Sequence, residues 1–398
     1  MPPRPSGSAI NPAQNVTHTA LNPRISGAVM ETTGSNSNPA TGSHRHRRAD
    51  AVVQWTTGNA GKSSVRAVVA NPTLELVGCY AWSPDKVGRD IGALCGIDPV
   101  GIAATDDIGA LPALKPDCVV HNPMWIDVDE LVRILEAGVD VVSTASFITG
   151  HRQGPGRDRI ADACRRGGAT MFGSGISPGF VNLLAIVSAG ICDRVDKVTV
   201  AEAADTNFYD SPATERPVGF GQPIDHPGLR AMTAEGTAVF GEAVRLIADA
   251  LGADLDEVRC DAEYARTTAD LDLGSWTIPT GCVAGVFASR KGIAGGRTLV
   301  ELTVRWRKGQ TLEPDWKIDQ DGWVLQVDGR PTVKNVVSFL PPPDFQAETI
   351  ADFMPLGHIM TAMPVINAIS AVVAAPPGIV TYNDLPLIQP HGVVPGVA

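Results

Sequence analysis

The stretch Val52–Ser63, Val-Val-Gln-Trp-Thr-Thr-Gly-Asn-Ala-Gly-Lys-Ser, constrains this chain more than any other: an apolar run that reads as a strand passes through a glycine turn straight into a helix. A helix N-terminus leaves backbone N–H groups unpaired, with the positive end of the helix dipole behind them, so such a turn binds an anion wherever glycine lets one approach. Two phosphate motifs compete for it. The pattern G-x-x-x-x-G-K-S/T fits Gly61-Lys62-Ser63, and G-x-G-x-x-G fits Gly58 and Gly61, but both ask for glycine where the chain has Thr56. The later strands decide between them. A P-loop enzyme needs a strand ending in aspartate to hold magnesium, whereas these strands end Tyr80-Ala81-Trp82, His121-Asn122 and Ser143-Thr144. The dinucleotide reading is preferred, with Thr57, Gly58, Asn59, Ala60 and Gly61 expected around a pyrophosphate and Lys62 adding a charge.

From Ala51 onward apolar strands alternate with helix-length segments. Strands are expected at Ala51–Trp55, Leu74–Trp82, Cys118–Asn122, Val139–Thr144 and Thr170–Gly173, with helices at Ala60–Ala70, near Asp107–Leu114, at Asp127–Ala137 and at Arg157–Arg166. This pattern predicts an α/β fold, a doubly wound parallel (Rossmann) sheet over residues 50–175, whose strand carboxyl ends line one crevice. After Asp193 the pattern changes to β-rich runs at Lys197–Ala203, Trp276–Ser289, Thr298–Trp306, Trp323–Val327 and Thr332–Phe339, broken by one helix over Glu235–Leu251. A second α+β domain on a mostly antiparallel sheet is expected over 176–345, for substrate and oligomerisation. Residues 346–398 read as a helical segment returning to the first domain. Residues 1–49, rich in Pro, Ser, Asn, Thr and Gly and ending in a basic cluster, read as a disordered tail, with Met30 as a second candidate start.

At 398 residues the chain is long enough for two cores, and 44% hydrophobic with 19% charged residues is a globular composition. A net charge of −11 argues against nucleic acid, which needs an excess of Lys and Arg. The seven cysteines have neither metal-ligand nor disulfide-scaffold spacing, so no metal is expected and the cytoplasm is the expected compartment. The most apolar run, Thr361–Pro377, is interrupted by Pro364 and Asn367, so no membrane span is expected. The expected partners are a small-molecule substrate and a second copy of the chain.

Several pieces match one family: the Thr57–Gly61 turn, Asp85-Lys86-Val87-Gly88-Arg89-Asp90, Ser143-Thr144, Gly173-Ser174-Gly175-Ile176-Ser177-Pro178-Gly179-Phe180, Ala375-Pro376-Pro377-Gly378-Ile379 and Asp384-Leu385-Pro386. In their order and spacing they make the chain similar to the dihydrodipicolinate reductase-like oxidoreductases, most closely the branch of 2,4-diaminopentanoate dehydrogenase and the NAD(P)H-dependent amine dehydrogenases. The resemblance implies a Rossmann domain carrying a nicotinamide cofactor, a mixed α+β domain carrying substrate, and hydride transfer between them to or from a small carbonyl, imine or amine. Two departures stand out. The His pair and Lys of the reductases are absent before Asp210-Ser211-Pro212, and Ala145-Ser146-Phe147 stands where the amine dehydrogenase branch carries a glutamate. A nucleotide-binding sensor or assembly protein without catalysis is therefore the alternative.

An acid at the end of the second strand would bond both ribose hydroxyls and repel a 2′-phosphate; Tyr80-Ala81-Trp82-Ser83 has none, and Ser83 with Lys86 or Arg89 favours NADP, with NAD the other option. His121, Asn122 and Pro123 are placed beside the nicotinamide by their position at a strand end. By resemblance Ser143, Thr144, Ser177 and Pro178 border its ribose and ring, while Ser177-Pro178 also reads as an N-cap with a first-turn proline. Hydride addition leaves an oxygen or nitrogen needing a proton. Tyr209 is the first choice of donor, Asp205 the second and His121 the third; Glu202 has the same acid–base or solvated alternatives, and His226 is a weaker candidate. Trp276, Trp306, Trp316 and Trp323 read as core or interface aromatics.

Overall fold

A computed structural model of the chain describes residues 48–394 except positions 208, 319 and 320; the expected tail falls outside the described residues apart from its last two. Strands β1 (Asp50–Trp55), β2 (Leu74–Tyr80), β3 (Cys118–His121), β4 (Asp140–Ser143) and β5 (Thr170–Gly173) join a C-terminal strand, β15 (Gly378–Val380), in one sheet of order β15-β5-β4-β3-β1-β2. Every pair in it is parallel. Helices α1 (Asn59–Ala70), α2 (Ile91–Cys95), α3 (Val128–Glu136) and α4 (Pro155–Gly167) belong to the crossovers, and β1 is buried along its whole length, as a strand covered on both faces must be. The chain leaves β1 toward β2 on one side and takes up β3 on the other, which creates a switch-point crevice beyond the carboxyl ends of β1 and β3. The predicted strands overran at Trp82, Asn122 and Thr144 because pairing stops at Tyr80, His121 and Ser143, where the chain turns to line that crevice.

Helix α5 (Val181–Ala189) leads into the second sheet. Its strands are β6 (Arg194–Asp205), β7 (Glu257–Thr267), β10 (Val283–Ala294), β11 (Arg297–Arg307), β12 (Leu312–Glu313), β13 (Gly322–Arg330) and β14 (Val333–Val337), in the order β12-β7-β10-β11-β6-β13-β14. All pairs are antiparallel except β11 with β6. A small hairpin, β8 (Leu271–Asp272) with β9 (Thr277–Ile278), precedes β10, so the run expected from Trp276 becomes a turn before it becomes a strand. The expected helix over Glu235–Leu251 is two, α7 (Leu229–Gly236) and α8 (Ala238–Ala250), divided at Thr237 and preceded by the short α6 (Pro212–Glu215). Strand β7 was not anticipated, although Val258, Cys260, Ala262 and Tyr264 alternate along it with polar residues.

One hydrophobic cluster joins the two sheets. Val120, Val142 and Phe172 of the first meet Ala185 of α5 and Leu246 of α8, which in turn cover Val200 and Leu302 of the second. Helix α9 (Met354–Ile366) continues through Pro364, contrary to the interruption expected there, and gives way at Asn367-Ala368 to α10 (Ile369–Val373), where the second interruption was expected. Met354–Val373 is thus long and apolar enough, by length and composition alone, to cross a bilayer; here it lies against α1 and returns the chain to β15 beside β5.

Candidate active site

The crevice opens into a cleft of about 790 Å³. Its floor is the turn after β1. Thr56 adopts a φ of +72° there, the left-handed conformation that favours glycine, which is why both phosphate motifs ask for glycine at this position. Gly58 caps α1 with no side-chain bond, and a Cβ added to it would meet nothing within 4 Å, so the first N–H groups of the helix stay open to the cleft. The Thr56 and Thr57 hydroxyls are buried with no hydrogen-bond partner among the described residues. Open amides and two orphaned hydroxyls on a helix N-terminus fit the pyrophosphate of a dinucleotide. Gly61 serves packing instead. A Cβ there would stand 2.4 Å from the Thr56 carbonyl oxygen, so its lack of a side chain lets α1 pack under the turn, and it does not line the cleft.

The strand ends are tied together beneath that floor. Buried Gln54 donates to the Thr56 carbonyl at 2.9 Å and to Asn122 Oδ1 at 2.8 Å, and Asn122 Nδ2 donates to Thr144 Oγ1 at 2.9 Å. Asn122 and Thr144 are thereby held in place where they line the cleft, as Pro123, Ser177 and Pro178 also do. At the end of β2, Ser83 and Lys86 line its far end together with Trp82, whose side chain is exposed. Ser83 donates to Asp85, which holds that carboxyl below the usual range.

The second sheet supplies the opposite wall. Glu202 on β6 enters the cleft, where its Oε1 accepts from the Trp306 indole N–H at 2.7 Å and its Oε2 from that of Trp323 at 3.0 Å. Burial pushes the Glu202 carboxyl up, against the pull of the Ser177 hydroxyl and the two indoles on its charged form. Trp306 and Trp323 line the cleft beside it, which corrects their reading as plain core or interface aromatics; Trp276 does pack in a core cluster. Tyr209 also lines the cleft, its hydroxyl 3.3 Å from Thr214 Oγ1. His358 of α9, which the sequence did not single out, completes this end, with burial pushing its imidazole down.

Several expected site residues point elsewhere. His121 is fully buried, its Nδ1 3.0 Å from Ser143 Oγ and its Nε2 3.1 Å from Glu130 of α3, so both His121 and Ser143 serve the sheet and neither lines the cleft. Asp205 accepts the Asn207 N–H at 3.1 Å in its own turn, and His226 accepts that of Gly228 at 3.1 Å. Ser177-Pro178 does not cap α5: both residues have extended dihedrals, and Asn182 Oδ1 accepts the Gly179 N–H at 2.7 Å just after the helix begins at Val181. At Ala145-Ser146-Phe147 the alanine and phenylalanine are buried. A carboxyl does line the cleft from β6 of the second sheet, that of Glu202. Among the described residues no group of His, Cys, Asp and Glu is arranged to hold a metal, and all seven cysteines are free. Burial pushes the thiols of Cys79 and Cys164 up to about 12.

Residues 180–394 match the 2,4-diaminopentanoate dehydrogenase C-terminal domain. An amine dehydrogenase of Streptomyces virginiae is 32% identical over 354 residues, 84% of this chain and 96% of the relative. The 2,4-diaminopentanoate dehydrogenase of Acetoanaerobium sticklandii is 26% identical over 265 residues, 65% of this chain and 70% of its own. Among solved structures, the amine dehydrogenase from Mycobacterium smegmatis shares the fold with a TM-score of 0.71 at 20% identity, over 88% of this chain and 99% of that one. With an open glycine turn on one wall of the cleft and a buried carboxyl on the other, these matches assign the chain: it belongs to the 2,4-diaminopentanoate dehydrogenase family and is an NAD(P)-dependent oxidoreductase.

Proposed function

We propose that the protein interconverts a small ketone and the corresponding primary amine, taking up ammonia in the reductive direction, with Glu202 as the group that moves the proton. The observation that carries this reading is a carboxylate with raised pKa, fixed by two indole N–H groups in a largely apolar cleft that also holds the phosphate turn. A dinucleotide, when bound, supplies or accepts the hydride. Thr56, Thr57, Gly58, Asn59 and Ala60 would hold its pyrophosphate, and Asn122, Pro123, Thr144, Ser177 and Pro178 its nicotinamide half. Glu202 as carboxylate takes a proton from the amine nitrogen as the carbon is oxidised. Protonated, it delivers one to the departing oxygen as ammonia replaces it. A buried carboxyl whose pKa lies nearer neutrality than usual serves both directions. Tyr209 is the second hydroxyl donor at this end, with Thr214 orienting it. The reading is tested by following cofactor absorbance with short ketones: oxidation of NADPH that depends on ammonium is the expected result. Binding without consumption across the ketone panel would mark a sensor instead.

The cofactor proposed is NADP(H), because Lys86 lines the adenosine end of the cleft and no acid terminates β2. Asp85 works against that preference from beside Ser83, although the Ser83 hydroxyl engages it. Lys86→Ala is expected to weaken NADPH about tenfold, the value of one charge-assisted hydrogen bond, and to leave NADH affinity unchanged. The ratio of the two dissociation constants measures this directly, and an equal loss for both cofactors would remove Lys86 from the 2′-phosphate.

A further inference from the structure

Beyond Tyr209 the cleft holds a second carboxyl that the proposed chemistry leaves unused. Lys308, at the end of β11, is fully buried, and its three protons are all spent: on Glu215 Oε1, on the Thr206 carbonyl and on the Tyr209 carbonyl, each at 2.6 Å. The lysine thereby pins the loop that carries Tyr209 and has nothing left to offer a ligand. Glu215 is 4% exposed and lines the cleft, and its Oε2 is buried with no hydrogen-bond partner among the described residues. A buried carboxylate oxygen without a donor is costly, by the full desolvation of that atom. Val218, Phe220 and Val239 line the cleft with it; Tyr209, Ser211 and Thr214 line it too, and the Ser211 backbone favours the charged carboxyl, but among the described residues none of them reaches Oε2 within hydrogen-bond distance. Asp210 adds a negative charge nearby rather than a donor.

We infer that Glu215 Oε2 is a substrate-recognition atom, which accepts a hydrogen bond from a hydroxyl or amino group carried by the substrate away from the reacting carbon. The inference rests on the reading of this cleft as the site of ketone–amine interconversion. It makes the preferred substrate a short bifunctional one, reacting at Glu202 and bonded at its other end by Glu215. A site built around a hydrogen-bonding group rejects an analogue lacking that group, because the buried partner is left unpaired. A substrate carboxylate in that position would meet Glu215 with like charge.

The test compares three methyl ketones of equal chain length ending in a hydroxyl, in the alkyl isostere and in the methyl ether, each assayed for ammonium-dependent NADPH oxidation. The parent protein is expected to favour the hydroxyl over both others by about ten- to a hundredfold in kcat/KM, the value of one hydrogen bond to a charged group. In Glu215→Gln the amide oxygen stays with the Lys308 ammonium, which needs an acceptor, and the amide N–H faces the cleft. The ether is then expected to gain on the hydroxyl by a similar factor, read as the ratio of their kcat/KM values within the variant, and the thermal midpoint of the NADPH-loaded variant reports its fold. Thermal-shift titration of the NADPH-loaded parent with the corresponding alcohols, which lack the reducible carbonyl, reads the same preference without turnover. If ketones fail to react but the diol still binds better than its ether, Glu215 retains its role and only the reaction is wrong. Equal binding and equal kcat/KM for hydroxyl, alkyl and ether forms in the parent would overturn the inference, with or without a folded variant.

Discussion

Glu202→Gln is expected to lower turnover in both directions by about a hundred- to ten-thousandfold, the usual cost of losing a positioned general acid or base, while NADPH still binds. The amide keeps the shape of the side chain and one acceptor for the indoles of Trp306 and Trp323, but it cannot exchange a proton at any accessible pH. The proposed dinucleotide contacts lie on the turn after β1, away from Glu202 on β6, so a loss of rate without a loss of cofactor affinity separates chemistry from binding. Tyr209→Phe is the informative companion. If it loses as much as Glu202→Gln, the proton path runs through the hydroxyl; a much smaller loss leaves the carboxyl in charge.

Stability should respond as sharply at a different glutamate. Glu242 of α8 is 2% exposed, and its carboxylate accepts four peptide N–H groups of one loop: Ile148 at 2.8 Å, Thr149 at 2.9 Å and Gly150 at 3.0 Å on Oε2, and Arg152 at 2.6 Å on Oε1. This one side chain fastens a helix of the second half to the segment after β4, whose Ser146 and Phe147 line the cleft. Glu242→Ala strands four buried donors, and each hydrogen bond to a charged group is worth about 1.5–3 kcal/mol. A total loss of about 3–5 kcal/mol is expected, since the loop recovers some bonds to water. Thermal unfolding should show a fall of about 4–7 °C, whereas Glu257→Ala, which removes an exposed ion pair with Arg259, should leave the midpoint where it is. A Glu242→Ala protein that melts with the parent would mean that the loop is held by other contacts.

How much of this could be read from the chain alone depended on whether the signal was local. The strand–turn–helix at Val52–Ser63 announces itself, because burial on both faces makes β1 apolar at Ala51, Val52, Val53 and Trp55, and the helix N-terminus requires an open turn. Thr56 obscured the motif by occupying a left-handed position without glycine. Strand β7 was hidden for a different reason: its inward side chains include the small Cys260 and Ala262, and its outward ones are charged, so the alternation was weak in hydrophobicity though regular in spacing. The carboxylate of the site was visible but unassignable. Glu202 acquires its character from tryptophans 104 and 121 residues away, which no local pattern connects to it. His121 failed in the opposite way, since the end of a strand fixes where a residue sits but not which way its side chain turns, and Ser143 and Glu130 hold it away from the cleft. Glu242 left no trace at all, because its partners are backbone amides.

Whether the proton moves through a carboxyl on the second sheet, rather than through a group on the nucleotide domain, is read from the pH dependence of amine oxidation. Burial raises the Glu202 pKa, so its carboxylate is lost at a pH above the ordinary carboxylate range as acid is added. The parent's kcat/KM for amine should accordingly fall as pH drops through that raised pKa, and the ketone-reducing direction, which needs the protonated form, should fall as pH rises through it. The residual activity of Glu202→Gln is expected to lack both limbs. An acid limb that survives unchanged in Glu202→Gln would refute this role for Glu202 and place the proton on another group of the cleft.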